Sequence, residues 1–473
     1  MERQQQIAYQ LDLFSEQNMN AIDQSQISRG VSEGSAVEVS QVREAGKHKR
    51  ALTDDLMQFV CSSDNIRIAY KRVKQNDGSP GVDRQDIRSF GEWYITFGDD
   101  LRHNLLTGKY NPDPVKSVEI AKPDGKGKRQ LGIPTVKDRV IQQAIYQVLN
   151  PLFDGEFSQS SYGFREGRNA HQALKKSSEY IKGGKGIVVD IDLEKFFDRV
   201  NHDRLMHQLS QEIGDKILLR LIRRYLQSGI LTGGLISQRT EGTPQGSPLL
   251  LLLSNIVLDE LDKELEKRGH QFCRYADDCN IYVRTQKSGE RVMESIGKFI
   301  EDRLKLKINR QKSKVVPSGE TKFLGYRIVK DGILTISPVN INRQKDKVRK
   351  ITKRNRGVSL KLLVSELNSV LRGWLQYFRL TKWRGNLIDL DHWIRRRLRC
   401  YKLKLCKNVY TIKLFLSSQG IMERQAWNNA KSGKGWWRLS NLPPTRLAPD
   451  FNPAKIMIAK EWSALGTIHI IFF

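Results

Sequence analysis

The fold of this chain is constrained most by a pair of acidic motifs, each next to a short apolar strand. Residues 272–275 and 279–283 have the pattern of two apolar strands joined by a tight turn, which carries Asp277 and Asp278. Upstream by 277 − 192 = 85 residues, a β-branched strand over 186–192 places Asp190 and Asp192 on one face, because side chains alternate along a strand. Neighbouring carboxylates repel each other and are costly to bury unless a cation accompanies them.

The chemistry of these carboxylates suits a divalent metal. Mg²⁺ prefers carboxylate oxygens and leaves coordination positions open for phosphates. An acidic pair in a turn is ordinary surface chemistry by itself, but a third carboxylate from the upstream strand completes a site for two ions. We therefore predict a metal site of Asp192, Asp277 and Asp278 for two Mg²⁺ ions, with Mn²⁺ as the alternative. A capping or structural role is the favoured interpretation of Asp190.

The net charge of the chain indicates its class of partner. The 473 residues include 80 Lys and Arg against 52 Asp and Glu, a formal net charge of +28. Residues 341–410 alone hold 20 basic and four acidic residues, which gives 20 − 4 = +16. Such clustering favours a nucleic-acid partner over a charge that serves solubility alone.

The cysteines and the apolar runs indicate the compartment. The five cysteines form no Cys-x-x-Cys pair, and their odd number favours reduced thiols inside a cell. Residues 1–17 lack the apolar stretch of a signal peptide. The longest apolar run, residues 249–253, is far shorter than the ~20 residues that cross a membrane. We expect a soluble intracellular protein with no membrane partner.

Hydrophobic periodicity predicts a mixed region followed by a helical one. Residues 1–47 are polar and weakly periodic, as is typical of a flexible leader. Helices are predicted over 52–73, 136–149, 205–226 and 296–306. Strands are predicted as a hairpin over 115–131 and as short segments near 323–328 and 333–336. Beyond Pro338 the pattern is helical and strongly basic, so the fold class is α+β followed by an all-α domain.

The sequence resembles the group II intron-encoded reverse transcriptases, or maturases, over residues 48–440. Six blocks in that family's order carry the resemblance. They are Gln130-Leu-Gly-Ile-Pro134, Ser161-Tyr-Gly-Phe-Arg165, residues 192–198, Thr243-Pro-Gln-Gly-Ser-Pro248, Tyr275-Ala-Asp-Asp278 and Phe323-Leu-Gly-Tyr326. The basic helical stretches 371–378 and 390–401, and residues 431–438, also resemble the family.

The resemblance implies a right-hand polymerase, with fingers and palm of mixed structure before an all-α thumb. The expected domains are a flexible leader (1–47), an N-terminal extension of the fingers (48–110), fingers and palm (111–337), a helical thumb or maturase domain X (338–420) and a short tail resembling a DNA-binding segment (421–473). Many members carry a zinc-dependent HNH endonuclease with paired cysteines. This chain has no such pairs, and we expect no second-strand DNA cleavage from it.

The implied activity is that of an RNA-directed DNA polymerase, a nucleotidyltransferase that binds its group II intron RNA, assists its splicing and copies it into DNA during intron homing. Its partners would be the intron RNA, a DNA target or primer, and deoxynucleoside triphosphates, and a homodimer is left open. The resemblance also implies a cytoplasmic protein of bacterial type, associated with the nucleoid or a ribonucleoprotein. Two alternatives stay open. One is a domesticated relative in defence or repair, which genomic context would reveal. The other is a splicing-only RNA-binding maturase, which substitution of Asp277 and Asp278 would distinguish.

The resemblance assigns catalytic roles residue by residue. Asp192, Asp277 and Asp278 match the family's metal-binding triad. Phe197 matches the bulky side chain beneath the incoming sugar, where a ring excludes the 2′-hydroxyl of a ribonucleotide. The alternative for Phe197 is a core phenylalanine, which is the interpretation favoured for Phe196.

The resemblance also implies contacts to nucleotide and primer. Lys122 and Arg129 resemble the pair that grips the triphosphate, with solvated surface charge as the alternative. Gln245 matches a residue that contacts the incoming nucleotide, and Lys312 a lysine near the pyrophosphate with a proton to donate. The primer grip is predicted from Phe323, Leu324, Gly325 and Tyr326.

The basic helix over 390–401 supplies the predicted RNA contacts. Trp393 and Tyr401 follow its apolar stripe and are expected in the core. The three arginines outside that stripe are expected to face phosphates: Arg395, Arg396 and Arg399. One departure from the family concerns the palm, where Leu250-Leu251 replaces the usual Ser-Pro and puts full activity in question.

Overall fold

The computed structural model of the chain describes residues 53–121, 128–232, 235–237, 241–242, 247–383, 385–433, 435–443 and 445. They form two compact units. The first contains residues up to Ala173 together with Ile187–Val315, and the second contains Leu174–Gly186 and the residues from Val316 onward. Each unit has its own apolar core and is described by itself.

Helices provide most of the regular structure. In chain order they are α1 (Leu56–Val60), α2 (Ser63–Gln75), α3 (Ile87–Leu106), α4 (Val136–Asp154), α5 (Ala170–Lys182), α6 (Phe196–Arg199), α7 (His202–Glu212), α8 (Lys216–Gln227), α9 (Pro248–Lys267), α10 (Gln286–Asp302), α11 (Pro338–Ile351), α12 (Leu360–Tyr377), α13 (Gly385–Leu405), α14 (Val409–Ser418), α15 (Glu423–Ala430) and α16 (Trp436–Leu439).

Within the described ranges, the strands form three sheets. They are β1 (Val115–Ala121), β2 (Lys128–Ile133), β3 (Ile187–Ile191), β4 (Ile230–Thr232), β5 (Leu235–Ser237), β6 (Gln271–Tyr275), β7 (Asp278–Val283), β8 (Lys314–Pro317), β9 (Tyr326–Val329) and β10 (Ile333–Ile336). Their orders are β2-β1-β4-β5, β6-β7-β3-β8 and β10-β9. The mixture of helices and sheets confirms the α+β character expected for the polymerase part.

The sheet of β6, β7 and β3 carries the acidic motifs and turns its apolar face to the core of the first unit. Val189 and Ile191 of β3 are buried there with Cys279 and Ile281 of β7. Because side chains alternate along a strand, Asp190 and Asp192 lie on the opposite face. The alternation in the sequence thus predicts the face of β3 on which Asp190 and Asp192 lie.

Two predicted helices are each broken by a capping residue. The stretch predicted over 52–73 divides into α1 and α2, because the Ser62 side chain accepts the Asn65 N–H and starts a new helix. The stretch predicted over 205–226 divides into α7 and α8. There Asp215 caps α8 by accepting the N–H groups of Ile217 and Leu218.

The hairpin predicted over 115–131 is confirmed, and the short strands predicted near 323–328 and 333–336 are present and pair with each other. β1 and β2 pair antiparallel from Lys116 opposite Ile133 to Ala121 opposite Lys128. β9 and β10 pair from Tyr326 opposite Ile336 to Val329 opposite Ile333. The helix predicted over 296–306 is correct in type but displaced, since α10 starts at Gln286 behind the Thr285 cap and ends at Asp302.

The second unit confirms the helical character predicted beyond Pro338. α11, α12 and α13 share a core that includes Val348, Leu367 and Ile394. A second core holds α14 to α16 against the end of α13 around Leu403, Leu416 and Leu439. Helix α13 therefore contributes to both cores, through residues 390–401 to the core shared with α11 and α12 and through Leu403 to the core shared with α14 to α16.

Candidate active site

The strand register brings the predicted acidic motifs to one end of a sheet. β3 and β7 pair antiparallel up to Ile191 opposite Cys279, and one further step along both strands sets Asp192 beside Asp278. Tyr275 pairs with Asp278 across β6 and β7, so that Ala276 and Asp277 form the two-residue turn. The tight turn predicted from sequence is confirmed, and all three acidic residues lie at the same sheet end.

The backbone of Asp192 is held by the segment before β8. The Asp192 N–H donates to Ser313 Oγ at 3.0 Å, and the Asn309 N–H donates to the Asp192 carbonyl at 2.8 Å. Leu193 forms an antiparallel bridge with Ile308. These contacts fix the chain direction just beyond β3, where the carboxylate emerges.

Lys312 belongs to the same segment and faces the first carboxylate. Its Nζ lies 3.7 Å from Asp192 Oδ2, and both side chains are open to solvent, at 64% and 39%. Such an exposed ion pair contributes little to stability. Its effect is to place a positive charge beside the Asp192 carboxylate.

The fit of a metal depends on donor chemistry and on backbone register. Within the part of the chain that is described, no three His, Cys, Asp or Glu side chains converge closely enough to hold an ion. The donors nevertheless fit Mg²⁺, because carboxylate oxygens are its preferred ligands and the register sets Asp192 beside Asp278. The Lys312 ammonium near Asp192 Oδ2 shows that this carboxylate already faces a cation.

The turn of Asp277 rests on the block at residues 161–165. A Cβ at Gly163 would come within 2.3 Å of the Ala276 nitrogen, so only glycine fits beneath the turn. The Gly163 carbonyl accepts from Asn255 Nδ2 at 2.9 Å, which ties the block to α9. Phe164 follows at φ +59 and its ring lies 6.3 Å from that of Tyr275.

A buried ion pair behind the turn was missed by the sequence interpretation. Arg274, immediately before Tyr275, pairs with Asp262 of α9, and neither side chain is exposed. Burial alone would lower the pKa of Arg274, but the adjacent carboxylate raises it, so the guanidinium stays charged. The sequence feature that could have indicated this pair is the presence of two polar residues on the apolar face of α9, Asn255 and Asp262, seven residues apart.

Phe196 and Phe197 follow Asp192 in the short helix α6. Phe196 is buried in the core, as predicted, at 2% exposure. Phe197 is half-buried against the same core, with its ring centroid 5.1 Å from that of Phe196. One side of the Phe197 ring is thus supported by the core, which suits a rigid steric barrier.

The remaining predicted nucleotide contacts are only partly described. Lys122 and Gln245 lie outside the described residues. Arg129 lies in β2 opposite Ile120, so it belongs to the predicted hairpin. Leu250, part of the departure from the family, is buried at 4% in the first turns of α9, so the core accommodates it.

In the second unit, the predicted primer grip forms a tight turn. Phe323 and Tyr326 exchange two backbone hydrogen bonds of 2.9 Å, and Leu324 and Gly325 have φ values of +50 and +82. This is the backbone of a two-residue hairpin turn with both central residues left-handed. Tyr377 of α12 donates through its hydroxyl to the Leu324 carbonyl at 2.9 Å, so the turn is anchored to a helix.

The predicted outward orientation of two arginines in α13 is wrong. Arg395 and Arg399 are each 8% exposed. Arg395 pairs with Asp391 at 2.6 Å, and Arg399 donates to the Ser440 carbonyl at 2.8 Å. Only Arg396 of the three is half-exposed, and it stacks 4.0 Å from the ring centroid of Trp437.

The aromatic residues predicted for the core of this helix differ from each other. Tyr401 is 1% exposed, as predicted, and donates to the Val358 carbonyl at 2.7 Å. Trp393 packs against the same core only partly, and the guanidinium groups of Arg349 and Arg397 lie 5.5 and 5.3 Å from its ring centroid. No helix within the described ranges combines the length and apolar character that crossing a membrane requires.

Comparison with protein families gives two matches. Residues 120–328 match "Reverse transcriptase (RNA-dependent DNA polymerase)", and residues 341–415 match "Group II intron, maturase-specific domain". The two regions follow each other in the order of the polymerase and maturase segments expected from the sequence.

Comparison with curated proteins gives relatives of the same kind. Protein YkfC of Escherichia coli (strain K12) is 32% identical over 271 residues, which are 49% of this chain and 70% of that protein. The group II intron-encoded protein LtrA of Lactococcus lactis subsp. cremoris is 27% identical, covering 58% of this chain and 56% of LtrA. The putative COX1/OXI3 intron 1 protein of Saccharomyces cerevisiae is 25% identical, covering 64% and 43%. The chain therefore spans only part of the length of each relative.

Proposed function

Since the chain belongs to the group II intron-encoded reverse transcriptases, or maturases, we propose that it is an RNA-directed DNA polymerase that binds its intron RNA, assists its splicing and copies it into DNA. The observation that carries the polymerase activity is the register that sets Asp192 beside Asp278, with Asp277 in the adjoining turn. Its substrates would be a primer paired to an RNA template and deoxynucleoside triphosphates.

The three carboxylates would act as the metal ligands. Asp192, Asp277 and Asp278 would hold two Mg²⁺ ions, whose chemistry when bound is to activate the primer 3′-oxygen and stabilise the leaving pyrophosphate. The protein's own contribution is to fix these carboxylates in place before substrate arrives. Ser313 and Asn309 do this for the Asp192 backbone by their hydrogen bonds of 3.0 and 2.8 Å.

Two further side chains would act on the nucleotide. The Lys312 ammonium, beside Asp192, would offset negative charge on the departing pyrophosphate and give it a proton. The core-supported ring of Phe197 would exclude a ribose 2′-hydroxyl, so the product would be DNA. Lys122, Arg129 and Gln245 remain predicted contacts to the triphosphate and the base.

The second unit would supply the affinity for RNA. Residues 341–410, most of its helical part, carry a net charge of +16. We propose that this part forms the thumb and maturase domain, and that the turn of residues 323–326 contacts the primer. Affinity for the intron RNA should then fall steeply with salt, by ~0.7–0.9 log units per phosphate contact for each log unit of salt concentration.

The test is extension of a DNA primer on an RNA template with Mg²⁺ and deoxynucleotides. The wild-type chain is compared with the double variant Asp277→Asn/Asp278→Asn. The matched control is Asp99→Asn/Asp100→Asn, which removes an adjacent exposed acidic pair from α3. We expect extension from the wild type and the control, and none from the double variant.

Splicing of the intron RNA is measured in the same variants. Splicing assistance should persist when DNA synthesis is lost, because RNA binding does not depend on the metal ligands. A folded wild-type chain that binds RNA but extends no primer would overturn the polymerase proposal and favour the splicing-only maturase.

A further inference from the structure

The guanidinium of Arg274 uses all its N–H groups on partners around the acidic turn. Nε and Nη2 donate to the two carboxylate oxygens of Asp262 at 2.7 and 2.5 Å. Nη1 donates to Asn255 Oδ1 and to the Ala276 carbonyl, both at 3.0 Å, and Nη2 also donates to Ser161 Oγ at 2.8 Å. The five N–H donors of an arginine are thereby all engaged.

This arrangement is more than an ion pair in the core. Both side chains are fully buried, and burying two charges costs more than a well-packed apolar pair of similar volume. Beyond the ion pair, Arg274 also donates a hydrogen bond to the Ala276 carbonyl, in the turn that carries the acidic residues. Stability alone therefore does not explain why a charged guanidinium group occupies this position.

The turn itself needs support from outside. Ala276 has φ +58, a left-handed conformation that a residue with a Cβ adopts only at a cost. Its carbonyl accepts from Arg274 on one side, and Gly163 packs against its nitrogen on the other, without room for a Cβ. The β6 strand is also bonded to the 160–162 segment, through the Arg274 N–H to Ser160 and the Tyr162 N–H to Arg274, both at 2.9 Å.

We infer that Arg274 is a positioning residue for the metal ligands Asp277 and Asp278, acting through the Ala276 carbonyl. The inference rests on the proposed function in one respect, that these carboxylates bind a divalent ion. Arg274 touches no substrate. It holds the left-handed turn that carries Asp277 and Asp278 at the end of the sheet where the register sets Asp192 beside Asp278.

The test uses two variants of the full chain. Arg274→Lys keeps the positive charge for Asp262, but one ammonium cannot reach Asp262, Asn255, Ser161 and the Ala276 carbonyl at once. Arg274→Met/Asp262→Leu replaces the buried pair by apolar side chains, which restores stability but not the bond to the turn. Arg224→Lys is the matched control, because the Arg224 guanidinium also holds two backbone carbonyls, those of Gly108 and Tyr110.

Three measurements are made: binding of Mn²⁺ followed by electron paramagnetic resonance, the Mg²⁺ dependence of primer extension, and hydrogen exchange of residues 271–283. In both Arg274 variants we expect Mn²⁺ to bind about tenfold more weakly or worse, as when an outer-shell partner of a metal ligand is lost. The Mg²⁺ concentration that gives half-maximal primer extension should rise by a similar factor. Amide exchange in the turn should accelerate. The double variant should remain folded at the assay temperature, and Arg224→Lys should keep the wild-type Mn²⁺ binding, Mg²⁺ dependence and amide exchange in the turn.

A purely structural role predicts a different pattern. Arg274→Met/Asp262→Leu would then be as stable as the wild type and would bind Mn²⁺ as tightly, with unchanged exchange in the turn, which would overturn the inference. A wild type that binds no Mn²⁺ would also overturn it. A wild type that binds Mn²⁺ but extends no primer refutes the polymerase proposal only, because Mn²⁺ binding and exchange still decide the role of Arg274.

Discussion

The Nζ atom of Lys312 lies 3.7 Å from the Oδ2 atom of Asp192, at the end of the strand that carries the first acidic residue. The next residue, Ser313, bonds the Asp192 backbone, so the amine and the carboxylate belong to one rigid loop contact. The amine therefore lies beside the proposed metal ligand Asp192 while its side chain stays 64% exposed to solvent.

This geometry predicts a catalytic effect of Lys312 without an effect on stability. Lys312→Met should lower the maximal rate of nucleotide incorporation by about 10²-fold, the usual worth of a general acid. The melting temperature should not change, because exposed ion pairs contribute little. Rapid-quench kinetics of single incorporation measure the rate, and Lys298→Met, which removes a lysine from an exposed pair with Glu294, serves as control. An unchanged rate in Lys312→Met would exclude a role at the pyrophosphate.

Phe197 should determine the choice of sugar. Its ring is half-buried and rests against Phe196, so shortening it opens space beside the nucleotide site without emptying the core. Phe197→Ala should lower the preference for deoxynucleotides over ribonucleotides by about tenfold or more in kcat/KM. Phe196→Leu is the comparison, since this change in the buried ring should reduce stability and leave the preference intact. A preference unchanged in Phe197→Ala would assign the ring to packing alone.

The acidic motifs could be predicted from sequence because strand periodicity and turn length are local. Asp192 sits at the end of a β-branched run, and the two-residue turn of Asp277 sets the hairpin register, so both placements need only neighbouring residues. The support behind them is not local. Arg274 meets Asp262 across a strand and a helix, and Ser161 comes from 113 residues upstream. One arginine within a strand gives no periodic signal that identifies such partners.

The error at Arg395 and Arg399 has a different physical cause. A single apolar stripe on a helical wheel assumes that the opposite face meets solvent. Helix α13 instead packs through Ile394 on the core shared with α11 and α12, and through Leu403 on the core shared with α14 to α16. Both arginines are therefore enclosed. Inside the protein, Arg395 pairs with Asp391 and Arg399 donates to the Ser440 carbonyl.

Gly163 should be intolerant of any side chain. A Cβ there would lie 2.3 Å from the Ala276 nitrogen and 2.9 Å from the Tyr275 carbonyl carbon, and backbone atoms cannot move aside as a flexible side chain does. Gly163→Ala should lower the free energy of unfolding by ~1–3 kcal/mol, as overpacking does, and should abolish primer extension by displacing the turn. Thermal melting and extension are measured beside Gly186→Ala, where a Cβ meets nothing within 4 Å. Full activity in Gly163→Ala would show that the turn tolerates displacement.

Asp138 should make the stability of the first unit depend on pH. It is 1% exposed and accepts hydrogen bonds from Tyr110, Tyr225 and Thr135, and burial raises its pKa from 3.8 to about 6. Because the folded state then holds a proton more tightly than the unfolded state, this group stabilises the fold below pH 3.8. That contribution is lost as the pH rises through 6.

Between pH 5 and pH 7.5, the free energy of unfolding should therefore fall by about 1–2 kcal/mol on account of this carboxyl group. Urea unfolding at both pH values measures the change in the wild type and in Asp138→Asn, whose amide does not titrate. The variant should start less stable, since an amide cannot accept all the hydrogen bonds that the carboxylate accepts, but its stability should vary less with pH. Asp99→Asn, at an exposed position of α3, should keep the wild-type slope. Parallel pH profiles for the wild type and Asp138→Asn would mean that Asp138 is ionised over this whole range and that its donors compensate fully for burial.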